Sequence, residues 1–322
     1  MKIKPGISKK PQFMASELSS IDADKALFHI IPAPWEKSVS YGKGTIHGPA
    51  AIIKASQQLE KWDGFSVPAR RGIYTKYLNL KKGKTGSDNT GKFLGLVEKA
   101  VYDSLSEKHI PIVLGGEHTV SLGSFRAIDK EGSPYKGKTG IIQFDAHGDL
   151  RDKYEGNSLS HACVMRRAYE IGFPLFQLGV RSISLEELDL RKNNKKINYM
   201  DAYEAVTQNI NKIKLPDDFP ENVYLTIDVD GFDISVFPAT GTPEPGGLGW
   251  YQVLSIIESV AAQRKIIGFD VVELAPDGVS HASEFTAARL VYNVMGIVER
   301  SLGVSHPIPV HAPFVCGGRR TR

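Results

Sequence analysis

The chain has 322 residues, 41% hydrophobic and 24% charged, with a formal net charge of +4. That length can bury a large core, as one α/β domain or two smaller ones. The basic residues lie in scattered short clusters such as Lys81-Lys82, Lys195-Lys196 and the tail Arg319-Arg320-Thr321-Arg322, with no stripe interleaved with aromatics. This argues against a nucleic-acid partner. Two cysteines, Cys163 and Cys316, are too few for a disulfide framework and fit a reducing compartment. No apolar stretch follows the basic Met1–Lys10 segment, and none is long enough to span a bilayer. A cytoplasmic protein with no membrane partner is expected.

In chain order, residues 1–26 read as a polar lead-in, and residues 27–322 as a single domain undivided by repeats or Pro/Ser linkers. Leu27–Ile31 reads as a strand ending at Pro32, and Pro49 suits the first turn of a helix continuing to Leu59. Gly72–Tyr77 is a candidate strand, followed by a Lys/Gly-rich loop, and Gly91–Glu107 has helical periodicity. Strand and helix then alternate: Ile110–Leu114, Val120–Asp129, Ile141–Phe144, His161–Ile171, Leu175–Leu178, Leu185–Arg191, Ile197–Met200, Ala202–Ile210, Val223–Ile227, Tyr251–Ala262, Ile266–Val272 and Ser283–Ser301. Such alternation predicts a mostly parallel sheet of eight strands with helices on both faces, a three-layer α/β/α domain.

Ligands of open α/β sheets sit beyond the carboxyl ends of the strands. Four strands end in groups that bind metals or cations: Gly115-Gly116-Glu117-His118, Asp145-Ala146-His147-Gly148-Asp149, Asp228-Val229-Asp230 and Asp270-Val271-Val272-Glu273. In extended backbone, residues two apart face the same side, so Asp145, His147 and Asp149 converge, as do Asp228 and Asp230. Four carboxylates packed together repel one another. Two divalent cations held by His118, Asp145, His147, Asp149, Asp228 and Asp230 would remove that cost, and could share a water of lowered pKa at a separation of roughly 3.5–4 Å. Manganese suits the carboxylate-rich donor set best, while binding strength alone would favour nickel or zinc.

In these stretches, and in Ser160-His161-Ala162, Thr240-Gly241-Thr242-Pro243-Glu244-Pro245-Gly246-Gly247 and Asp270-Val271-Val272-Glu273-Leu274-Ala275-Pro276, the chain resembles the ureohydrolases, a family that includes arginases and agmatinases. The resemblance runs from about Ile30 to the last helix. It implies an α/β/α fold, a binuclear manganese site, hydrolysis of a guanidino group to urea and an amine, and trimers or hexamers. It also implies roles: Asp149 ligates metal and orients the nucleophile, Glu273 accepts hydrogen bonds from the guanidinium, and His161 shuttles a proton at the mouth of the site. An acidic pocket suits a guanidinium, which stays protonated.

Simpler roles compete at some of these positions. His118 could open a helix paired with Glu117, Asp233 could merely hold a turn, Cys163 reads as a small buried residue, and His281 as surface. His29, His47 and His109 carry no motif, and Gly246-Gly247 lacks the lysine of a phosphate loop. For the substrate, Ser182-Ile183-Ser184 stands after Gly179-Val180-Arg181 where arginases carry an acidic residue, with Glu186 and Glu187 slightly later. That difference, Pro243–Gly247 and Ser160–Cys163 resemble agmatinases more than arginases, which favours agmatine giving putrescine. Guanidinobutyrate, guanidine and arginine are alternatives within the family. A zinc amide deacetylase, which would not require His118, and a non-catalytic metal-binding homologue are alternatives outside that chemistry.

Overall fold

A computed structural model describes residues 10–19, 21–80 and 89–303. Its strands are β1 (Phe28–Ala33), β2 (Ile73–Thr75), β3 (Ile110–Gly115), β4 (Thr139–Phe144), β5 (Leu175–Leu178), β6 (Ile197–Met200), β7 (Asn222–Asp228) and β8 (Lys265–Val272). The helices are α1 (Gly48–Ala55), α2 (Thr90–Ser106), α3 (Ser121–Asp129), α4 (Val164–Ile171), α5 (Leu185–Asn193), α6 (Ala202–Thr207), α7 (Trp250–Ala261) and α8 (Ala282–Ser301). The strands form one sheet in the order β2-β1-β3-β8-β7-β4-β5-β6, and every pairing is parallel rather than most of them. Parallel strands covered on both faces read as continuous apolar runs, and β1, β3, β4, β5 and β7 are buried along their whole length.

Each face of the sheet carries its own core. Ile30, Phe144, Leu225 and Phe269 point to the layer of α1, α7 and α8, while Ile31, Ile141, Tyr224 and Val272 point to that of α2, α3 and α4. Part of the polar lead-in joins the first layer. Phe13 and Met14 are buried there, and their backbone N–H groups donate to Thr75 Oγ1 and Ser56 Oγ at 2.9 Å.

Among the boundaries that differ from the expectation, β2 is only Ile73–Thr75, α6 ends at Thr207, α4 begins at Val164 after a 3-10 turn at His161–Cys163, and two others have a clear physical reason. β1 continues through Pro32 to Ala33, because β2 stops at Thr75 and no described residue pairs with the edge where the proline lacks its N–H. The first helix stops at Ala55, and a single 3-10 turn, Ser56–Gln58, carries the chain to Leu59. The Lys/Gly-rich loop at 81–88, Cys316 and the basic residues 319–322 lie outside the described residues.

Register places the site. Leu114, Val271, Ile227 and Phe144 pair in one row across β3, β8, β7 and β4, four neighbours at the centre of the sheet. The groups just beyond that row therefore stand side by side. By the side-chain alternation, Gln143 on β4 and Asp145 just beyond its end, Thr226 and Asp228 on β7, and Asp270 on β8 face the α3 and α4 layer. His118 and His161 stand there, in the 3-10 turns that lead into those two helices.

Candidate metal centre

The six metal-ligand candidates come together in the order the register dictates. His118 Nδ1 lies 3.1 Å from Asp145 Oδ2, 3.0 Å from Asp149 Oδ2 and 3.5 Å from Asp228 Oδ2. His147 Nδ1 lies 3.1 Å from Asp230 Oδ2 and 3.6 Å from Asp145 Oδ1. Two triads result, His118/Asp145/Asp149 and Asp145/His147/Asp230, each with donor atoms within 4.8 Å of one another. Asp145 belongs to both, one oxygen toward each histidine. Among the described residues His118 Nδ1 is buried and has no well-aligned hydrogen-bond partner, although carboxylate oxygens stand 3.0–3.1 Å away. A buried polar atom is rarely left so, and one aimed at three carboxylates fits a cation ligand. The donor set of carboxylates and imidazoles, without thiolate, suits hard to borderline divalent ions.

Neighbouring groups hold the ligands in place. Gln177 Nε2 donates to Gln143 Oε1 at 2.6 Å, and Gln143 Nε2 donates to Asp145 Oδ2 at 2.7 Å. His118 Nε2 contacts Thr226 Oγ1 at 2.8 Å, and that hydroxyl donates to Asp270 Oδ1 at 2.7 Å. This arrangement leaves Nδ1 as the nitrogen that faces the carboxylates, the usual pattern behind a metal-bound histidine. The Asp230 and Asp228 carboxylates each accept a backbone N–H, from Ala146 at 3.1 Å and Asp230 at 2.9 Å. Gly231 lets this turn close on β4, since a Cβ there would sit 2.6 Å from the Asp145 nitrogen. Asp149 and Glu273 adopt positive φ, 52° and 63°, a strained conformation for side chains other than glycine.

Protonation follows from this crowding. Burial, with the charge of Asp145 adding to it, pushes the Asp149 carboxyl up to about 7. Burial and the adjoining Asp230 and Asp145 raise Asp228 well above the carboxylate range. Burial opposes a charged His147, yet Asp145 and Asp230 push it up to about 12. Asp145 is depressed: its burial is outweighed by His118 and His147. Positive charge is thus drawn to this point from every available source, which is the electrostatic condition for binding cations.

The other two candidates flank the cluster. Glu273 is buried, and its Oε1 accepts the backbone N–H of His118 at 2.6 Å. Burial first, then the charge of Glu117, raises its carboxyl well above the usual range. His161 rests against Ser38 and Ser160, its Nδ1 3.2 Å and 3.3 Å from their hydroxyls. Burial, reinforced by His118 and His147, pulls it down to about 4. All eight residues of the proposed site except Asp145 line a chamber of about 20 Å³, room for one or two atoms of water size. His147, Asp149 and His161 also line a vestibule of about 260 Å³ with Tyr154, Ser182 and Glu187.

Several residues here escaped the sequence reading. Glu117 does not pair with His118: its carboxylate accepts the N–H groups of Lys37 and Ser38 at 2.6 Å. Arg181, a mere landmark in the sequence, clamps the loop beyond β7 by donating to the Asp230 and Glu244 carbonyls at 2.7 Å. Glu187 is buried, and it caps the start of α5 through Ser184 and also accepts Leu150 N–H at 2.8 Å. Gln143 carried a signal, a polar residue on a buried strand two places before Asp145. Asp233 holds a turn through Ser235 and Gly246, His281 is exposed, and Cys163 is buried, its thiol pushed up to about 11 by burial.

Known proteins share this architecture. A protein named N(1)-aminopropylagmatine ureohydrolase from Synechocystis sp. is 39% identical over 291 residues, 88% of this chain and 93% of that protein. An agmatinase from Pyrococcus horikoshii is 31% identical over 88% of this chain and 96% of its own. The crystal structure of the agmatine ureohydrolase of Thermoplasma volcanium superposes with a TM-score of 0.75 at 27% identity, covering 92% of this chain and 97% of that one. Residues 26–296 match the arginase family as a whole, and with the eight-stranded parallel sheet and its level strand ends this establishes that the chain belongs to the arginase family.

Proposed function

We propose that this chain hydrolyses agmatine to putrescine and urea at the centre formed by His118, Asp145, His147, Asp149, Asp228 and Asp230. The observation that carries this reading is the pair of triads sharing Asp145, since two divalent ions are what four clustered carboxylates need for charge balance. When bound, such ions supply Lewis acidity and bring the pKa of water toward neutrality. Manganese is the ion favoured by the carboxylate-rich donor set, with nickel and zinc as competitors.

The chain's own residues do the rest. Asp149 orients the attacking water. Glu273 accepts hydrogen bonds from the guanidinium N–H groups and holds its carbon in line, a charge-assisted contact with geometric specificity. His161 accepts a proton from the attacking water and delivers it to the departing amine as the C–N bond breaks. The vestibule receives the aliphatic tail, where Glu187 supplies negative charge near a distal ammonium. Family membership supports a homo-oligomer, and the reducing cysteine usage a cytoplasmic role in polyamine formation.

A second reading, N(1)-aminopropylagmatine as substrate, is favoured by the 39% identical relative of that name. The deciding experiment measures urea release by metal-loaded protein from agmatine, N(1)-aminopropylagmatine, arginine, 4-guanidinobutyrate and guanidine. We expect the highest kcat/KM with agmatine. A higher value with the aminopropyl compound transfers the assignment to it, and no urea from any of them removes the hydrolase reading.

A further inference from the structure

The mechanism above leaves unused a fully buried charged residue, Glu117, and the loop it holds. That loop, residues 34–44, walls the chamber: Val39, Ser40, Tyr41 and Gly42 line it. It approaches closely because residue 116 is glycine, where a Cβ would sit 2.0 Å from the Trp35 carbonyl oxygen. Glu117 Oε2 accepts the Lys37 and Ser38 N–H groups, both at 2.6 Å, and Oε1 accepts the Ser38 hydroxyl at 3.0 Å. Ser38 Oγ in turn accepts the backbone N–H of His161 at 3.0 Å and lies 3.2 Å from His161 Nδ1.

Proton counting decides what the last contact is. A serine hydroxyl has one hydrogen and two acceptor positions. Its hydrogen goes to the Glu117 carboxylate, a charge-assisted bond stronger than a neutral one. Nothing remains on Ser38 to donate to His161, so the 3.2 Å contact is a hydrogen bond only with Nδ1 as the donor. In that tautomer the Ser160 hydroxyl, 3.3 Å from the same nitrogen, is the second, longer acceptor of a three-centre contact. Nε2 has no protein partner among the described residues, and His161 lines the chamber.

We propose that Glu117 and Ser38 are positioning residues that fix the tautomer of His161, with the proton on Nδ1 and the lone pair on Nε2. This rests on the reading of His161 as the proton-transfer residue and gives that role a direction. Nε2 takes the proton from the attacking water, and the same proton leaves Nε2 for the amine nitrogen when the C–N bond breaks. Nδ1 keeps its hydrogen throughout. A ring in the other tautomer would present N–H to the water and could accept nothing.

The test uses full-length, manganese-loaded enzyme and agmatine. Ser38→Ala should lower kcat by about tenfold, the worth of one hydrogen bond, with KM and metal content unchanged, and Ser38→Thr, which keeps the hydroxyl, should restore most of the rate. In a His161→Asn background, Ser38→Ala should change kcat less than about twofold, because the relay then has nothing to act on. The ring nitrogens of His161, observed by 15N NMR in protein loaded with diamagnetic zinc, should read as protonated Nδ1 and bare Nε2, and Ser38→Ala should lose that preference. Equal losses from Ser38→Ala in both backgrounds, or a protonated Nε2 in the native protein, overturn the relay. Full activity in His161→Asn would instead remove the proton-transfer reading beneath it.

Discussion

Replacing His147 by alanine separates the metal centre from the scaffold. His147 Nδ1 is the nitrogen of the second triad, 3.1 Å from Asp230 and 3.6 Å from Asp145. Without it that position keeps two carboxylates. Partners that only orient a ligand are worth about 10–100-fold in metal affinity, so losing a ligand should weaken this ion by at least that much. One ion's stabilisation of the developing charge is several kcal/mol, and at about 1.4 kcal/mol per tenfold kcat should fall by roughly 10²–10⁴. Apart from the lost ion, the fold should notice little, because the side chain is 27% exposed and such substitutions usually cost no more than about 1 kcal/mol. The assay combines metal analysis per chain, urea release and urea-induced unfolding. We expect one tightly held ion instead of two, activity partly regained at high manganese, and a protein that still unfolds cooperatively, its midpoint lowered by the binding energy of the lost ion. Two ions with full turnover would refute the assignment of His147, and with it the shared role of Asp145.

Glu273→Gln keeps an acceptor for the His118 N–H, 2.6 Å away, but removes the charge that meets the guanidinium. Catalytic efficiency should drop by about 10²-fold, within the usual cost of breaking a buried charge-assisted pair, while metal content stays at two; a variant with normal kcat/KM would take Glu273 out of the substrate site. Away from the site, burial pulls His29 down from 6.5 to about 4, opposed by its bond to the Ala23 carbonyl. At this one group the unfolded chain therefore binds more protons between those values, so the contribution of His29 to stability rises with pH across that window and falls as pH drops through it, by up to about 3 kcal/mol, while Asp149 and His161 titrate in the same range. The difference in unfolding free energy between the native chain and His29→Gln, measured from pH 7 to pH 4, isolates this group and should change across the window in that direction; a difference that stays constant with pH would place the titration elsewhere.

The sheet was legible because its strands are covered on both faces, which writes them as uninterrupted apolar runs between glycines and polar turns. The metal candidates were legible for a related reason: parallel strands deliver their C-terminal residues to one rim, and spacing of two keeps Asp145 and Asp149, or Asp228 and Asp230, on one side. What escaped is what depends on long-range contact. Phe13 and Met14 sit in a polar stretch without periodicity, and only the groove beside β2 and Ser56 gives them a place. Glu117 reads as the neighbour of His118, yet a strand end turns adjacent side chains apart, so its partners lie some eighty residues earlier in the chain. Pro32 looked like a terminator because sequence cannot tell which edge of a strand has lost its neighbour.

The site also shows where a stable fold accepts local cost. Asp149 and Glu273 in left-handed backbone each cost of order 1–3 kcal/mol, and Asp228 is buried against the carboxylates of Asp230 and Asp145. None of this would persist on a mobile loop. Here it is imposed by four paired strand ends, by Gly231 closing on Asp145, and by the Asp149 carbonyl accepting the N–H groups of Met165 and Arg166 at the start of α4. The same sheet whose packing supplies the stability therefore holds four carboxylates closer than they would choose, and cations are the partners that turn that unfavourable arrangement into binding energy.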